Sequence, residues 1–236
     1  MNTDNMSFLG HLEEFRRRLI VCLIALLVGI LIVSPYSSRI LAFLKRPAGD
    51  SLGKLAYFAP AEAFSAYFMI AFFGGLILAM PVILYQVWAF FSPAISAKIR
   101  RYAIGFVAAG SLSFAGGCVF AYSMLLPAAL KFLLTIGKDD LEPVISVSKY
   151  ISFALSIIFC TGLVFEMPVV SLILARGGML DHRFMRRKFK YAVLLIFIVA
   201  AIITPTPDVF NMTLLALPML GLYEVSIWVA AAAKRR

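Results

Sequence analysis

Apolar residues in this chain gather into long runs, separated by short clusters of charge, glycine and proline, and the runs have the length of helices rather than strands. Six stand out, over residues 19–38, 63–91, 102–126, 150–175, 191–203 and 210–233. About 20 apolar residues in a helix cross the hydrocarbon core of a bilayer, and five of the runs reach that length. The fifth run has thirteen residues. As a helix it covers about 20 Å against a core of about 30 Å. Pro218 is expected to break the sixth, so the fifth and sixth helices are both read as short.

The breakers between and within runs refine this pattern. Pro35 lies near the far end of the first, Pro60-Ala61-Glu62 opens the second with a proline in the first turn, and Pro81 is expected to kink it. A short helix is expected at 128–136, inside the loop that follows the third run. Ahead of the first run, residues 7–18 place Phe8, Leu12 and Phe15 on one face, with Leu19 completing the stripe. Glu13, Glu14 and the arginines fall on other faces, which describes an amphipathic helix at a membrane surface. Glu13 with Arg17, and Glu14 with Arg18, have the i,i+4 spacing of helical ion pairs.

Composition makes the membrane assignment firm: 62% of residues are apolar and 14% charged, with a mean hydropathy of +0.95. A soluble domain carries about 25% charged residues. The net charge of +10 is spread as short basic clusters between apolar runs, where it sets topology and meets lipid headgroups, not nucleic acid. With six spans, fifteen Lys and Arg fall on the side of the termini and seven on the other, so both termini are placed in the cytoplasm. No small-x-small cleavage site follows the first run, which is therefore read as retained. Cys22, Cys118 and Cys160 lie in separate runs without paired spacing and read as small buried hydrophobes.

Candidate chemistry is sparse. His11 and His182 are the only histidines, and no nucleophile or metal motif accompanies them. The unusual groups are two acids inside apolar runs, Glu166 before Met167-Pro168, and Glu224. An ionised carboxylate at that depth faces a cavity or a partner, or takes up a proton. Glu166 can also rest as a neutral acid, bonded to a backbone carbonyl freed by Pro168. Together the two acids admit an ion- or proton-coupled solute transporter, although no inverted repeat supports one. The other surviving class is a membrane receptor or assembly platform.

A family resemblance bears on that choice. It is carried in order by His11-Leu12-Glu13-Glu14-Phe15-Arg16-Arg17-Arg18-Leu19, by Pro81-Val82-Ile83-Leu84-Tyr85-Gln86-Val87-Trp88-Ala89-Phe90 and by Ser92-Pro93-Ala94. Phe120-Ala121-Tyr122 with Pro127, Phe165-Glu166-Met167-Pro168 and Thr206-Pro207-Asp208-Val209-Phe210 continue it. Over nearly its whole length the chain resembles TatC, the multispanning receptor of the twin-arginine (Sec-independent) protein translocase. The resemblance implies an all-α protein with a cup-like bundle of six transmembrane helices in the cytoplasmic (inner) membrane. It implies a receptor without a cofactor that binds twin-arginine signal peptides of folded cargo. It also implies assembly with TatA and TatB into a higher-order oligomer in the phospholipid bilayer, with transport driven by the proton-motive force. By the same resemblance Glu13, Glu14, Arg16, Phe90, Pro93 and Arg100 are signal-peptide binding residues, Glu166 is the membrane-embedded functional acid, and Pro47 and Asp208 are functional residues of the outer loops. Two departures stand out. Ile99 occupies the place of an acid in the first cytoplasmic loop, and Met212 the place of a glutamine in some relatives.

Overall fold

The structure, a computed structural model, describes residues 8–52, 55–91, 103–135, 144–204 and 208–234. Its regular elements are helices: α1 (Phe8–Val33), α2 (Ser37–Lys45), α3 (Pro60–Phe91), α4 (Ala103–Phe120) and α5 (Leu126–Thr135) in the first half. They are followed by α6 (Val147–Phe165), α7 (Met167–Arg176), α8 (His182–Arg187), α9 (Phe189–Ile203) and α10 (Val209–Lys234). An isolated bridge pairs Ala56 with Ser146. Among the described residues, five segments are long and apolar enough to cross a membrane: Leu12–Gly49, Pro60–Phe90, Ala103–Thr135, Val147–Arg176 and Val209–Ala233. α9 is apolar and shorter.

Several elements differ from the sequence expectation. The surface segment and the first apolar run as far as Val33 form one unbroken helix, α1, because nothing between Leu12 and Val33 interrupts helical hydrogen bonding. The end of the run, with Pro35, turns through a 3₁₀ segment at Ser34–Tyr36 into α2. α3, the second run, is expected to carry Pro81 within it and is a single helix of 32 residues. α10 continues through Pro218 for 26 residues, about 39 Å. The expectation that the sixth helix is short is therefore corrected: a proline removes one backbone bond, and the turns on either side keep the rest. α9 is short, at 15 residues and about 22 Å. The helix expected at 128–136 belongs to α5, which extends α4 through a π-helical turn at Ala121–Leu125.

Packing follows from small residues, since lipid tails offer no hydrophobic reward for helix association. α1 and α3 cross at Gly29 and Gly75, where a Cβ on Gly29 would stand 2.5 Å from the Gly75 carbonyl oxygen and one on Gly75 would stand 2.6 Å from the Ile30 nitrogen. Larger apolar side chains turn outward toward lipid, as with Leu31, Phe64, Ile104 and Ile202. The main core gathers at one end of the bundle, from Leu44, Ile70, Leu126, Leu130, Ile151 and Leu215 among others. There Tyr122 and Tyr150 donate to the carbonyls of Phe43 (2.9 Å) and Leu44 (2.6 Å), capping the last turn of α2. At the opposite end, where α1 begins and α3, α7 and α10 finish, the described residues form two small clusters.

Candidate functional site

At that loosely packed end, α1 and α3 bound a cavity of about 730 Å³ lined by Gly10, Glu13, Glu14, Arg17, Arg18, Val21, Tyr85 and Gln86. The helical period explains the grouping: 10, 13, 14, 17, 18 and 21 share one face of α1. Glu14 and Arg18 form the i,i+4 pair anticipated from spacing, with Arg18 Nε 3.0 Å from Glu14 Oε1 and Arg18 Nη2 on the same oxygen. Arg18 Nη1 donates to Gln86 Oε1 on α3 at 3.3 Å. Glu13 and Arg17 do not pair, and both side chains face water.

Phe90 meets α1 beside this cavity, its ring edge-on to Phe15 at 5.9 Å between centroids. The structure thus brings together Glu13, Glu14 and Phe90. Arg16 points away and is exposed. Pro93 and Arg100 lie outside the described residues, as does Ile99.

Glu166 occupies the break between α6 and α7 and is buried (6% exposed). Pro168, in the first turn of α7, cannot donate a backbone bond, which accounts for the break. The carbonyl of Phe165 at this break accepts from Ser113 Oγ at 2.6 Å. The alternative bond from a neutral glutamic acid to a freed carbonyl is not formed: neither carboxyl oxygen has a hydrogen-bond partner among the described residues. The carboxyl fits because α4 carries glycine opposite it; a Cβ on Gly110 would lie 3.0 Å from both Glu166 Oε2 and Leu84 Cδ1. On the same end, an apolar recess of about 210 Å³ lies between Trp88, Phe106, Val169 and Arg176.

Glu224 is placed differently. Its Oε1 accepts from Arg186 Nη1 at 2.6 Å, and the adjacent Tyr223 donates to the Met185 carbonyl at 3.0 Å, so α8 is fastened to α10. Engaged in this ion pair, Glu224 does not join Glu166 in a carboxylate path, which removes the main support for a solute transporter. Pro47 stands in the 3₁₀ segment beyond α2, at the well-packed end. Asp208 caps α10: Oδ1 accepts the Asn211 backbone N–H at 2.6 Å and Oδ2 accepts its side-chain amide at 2.9 Å.

Sequence reasoning missed Gln86, Gly110, Ser113 and Arg186 as partners of the named groups. Gln86 lies inside a quoted motif, but which acid it or Gly110 serves depends on how separate helices align.

Comparison with known proteins agrees along nearly the whole chain. The family model described as Sec-independent protein translocase protein (TatC) matches residues 10–218. A relative of that name from Koribacter versatilis is 42% identical, covering 95% of this chain and 85% of its own. One from Carboxydothermus hydrogenoformans is 40% identical, covering 98% and 95%. A solved structure titled as the twin arginine translocase receptor TatC superimposes with a TM-score of 0.87 at 37% identity, covering 95% of this chain and 100% of that one.

Proposed function

Because the chain belongs to the TatC family, as a multi-pass membrane receptor of the Sec-independent translocase and not an enzyme, we propose that the cavity between α1 and α3 is its signal-peptide site. The ligand is the paired arginines of a twin-arginine signal on folded cargo, Glu14 and Glu13 supplying the carboxylates and Phe90 with Phe15 an apolar wall. The observation that carries this reading is that Glu14 already holds a guanidinium, that of Arg18, at the edge of an open cavity that Glu13 also lines. A carboxylate and a planar guanidinium form the strong, directional pair that lysine cannot match.

In this reading the protein sits in the cytoplasmic membrane with six spans, α9 included, and both termini inside, and it assembles with TatA and TatB into a higher-order oligomer. Ile99, lacking a carboxylate, leaves Glu13 as the second acid. The test is crosslinking of a twin-arginine peptide to the protein and to its Glu13→Gln, Glu14→Gln variant. Strong loss is expected in the variant, and undiminished crosslinking would overturn the site. Exchange of Ile99→Glu, scored by export of a twin-arginine reporter in cells without their own TatC, should leave export the same or raise it. A drop would show that the loop has no place for an acid.

A further inference from the structure

The pairing of Arg18 with Glu14 has an unusual form. Two guanidinium nitrogens crowd one carboxylate oxygen, Oε1, and no described residue bonds Oε2. The third nitrogen reaches across to Gln86 on another helix. A full fork uses both carboxylate oxygens and is the stronger arrangement. Arg18 is thus held by a partial fork and has a second, neutral acceptor on its far side. Both side chains of the ion pair are about four-fifths buried, at 23% and 21% exposure, and both line the cavity.

We propose that Arg18 is a resident competitor for the guanidinium site, and that Gln86 is the acceptor that takes it when an incoming arginine displaces it from Glu14. This rests on the signal-peptide reading above. An arginine of the peptide gains both oxygens of Glu14, and the displaced Arg18 keeps a hydrogen bond to Gln86 rather than being left without a partner. Displacing Arg18 costs the same whichever cation takes Glu14, so the internal arginine lowers the affinity of the site for both, and a lysine, which makes no fork, starts from the weaker binding. Arg18 in this sense sets the affinity of the site, and Gln86 is a positioning residue that acts through it.

The experiment measures binding of two fluorescent peptides, one with adjacent arginines and one with adjacent lysines ahead of the same apolar stretch, to the full chain in lipid nanodiscs. A part-exposed i,i+4 pair is a weak competitor, so Arg18→Gln should tighten the arginine peptide by only about two- to fivefold. It should tighten the lysine peptide by no more than that. Arg17→Gln removes the same charge from the same cavity without touching Glu14, and should tighten both peptides less than Arg18→Gln does. Gln86→Leu should weaken the arginine peptide about twofold in the parent and have no effect once Arg18 is Gln. Arg18→Lys, which keeps the charge and loses the planar group, should tighten the arginine peptide in the same direction as Arg18→Gln and serves if that variant does not fold. Weaker or unchanged binding in Arg18→Gln, or an equal response to Arg17→Gln, would each overturn the competitor. Failure of the site itself is a separate outcome: Glu14→Gln would then bind both peptides as the parent does.

Discussion

Among the described residues Glu166 sits at a helix break with neither carboxyl oxygen bonded, whereas Glu224 sits in an unbroken helix with one oxygen on Arg186 and the other without a partner. The first is enclosed by α3, α4 and the α6–α7 break; the second is partly open and lies against α8. An ion pair at a helix surface is ordinary structural support of about 0.2–1 kcal/mol. A buried carboxyl without a partner costs stability, and a fold that keeps one while placing a glycine opposite it retains the group for some other reason. The contrast separates an acid that holds the protein together from one that does not.

The largest expected effect concerns function. Glu166→Gln should lower export of a twin-arginine reporter by about tenfold or more, with peptide crosslinking near the parent level, while Glu224→Gln leaves export within about twofold. Equal loss of binding and export in Glu166→Gln would end the distinction. Next comes the space around Glu166. Gly110→Val should destabilise the protein by about 1–3 kcal/mol through overpacking, read as a lower melting temperature in detergent, and adding Glu166→Ala should recover part of it. No recovery would mean that Gly110 serves helix contact alone. Leucine substitution gives opposite signs at the two acids: Glu166→Leu should stabilise by about 1–2 kcal/mol, and Glu224→Leu should destabilise by about 0.5–1 kcal/mol. The smallest effect tests the ion pair. Reversal by Arg186→Glu should cost about 1 kcal/mol, and adding Glu224→Arg should return most of it, less so in high salt.

Run length and hydropathy made the helical membrane architecture legible, because the bilayer requires long apolar segments whatever their packing. The pair Glu14 and Arg18 was legible for the same kind of reason, as four residues along a helix is a local spacing. What escaped was tertiary. Arg186 reaches Glu224 across 38 positions and Arg18 reaches Gln86 across 68, and no periodicity within one helix records either. Pro218 misled in the other direction. The rule that proline interrupts a helix is local, and in lipid the remaining backbone groups have no alternative partner, so α10 runs on.

The glycine crossing of α1 and α3 bears on the polar end of the same pair. Gly29 and Arg18 are eleven residues apart on α1, and Gly75 and Gln86 are eleven apart on α3. Eleven residues are close to three helical turns, about 16 Å, so each helix returns to the same face over that distance. Two equal arms therefore lead from one fulcrum to one lock. The crossing acts as a gauge block: the depth at which two bare backbones touch in the bilayer decides which rung of α3 stands opposite Arg18. A methyl group inserted between them would register three turns away, as a glutamine that no longer meets its arginine.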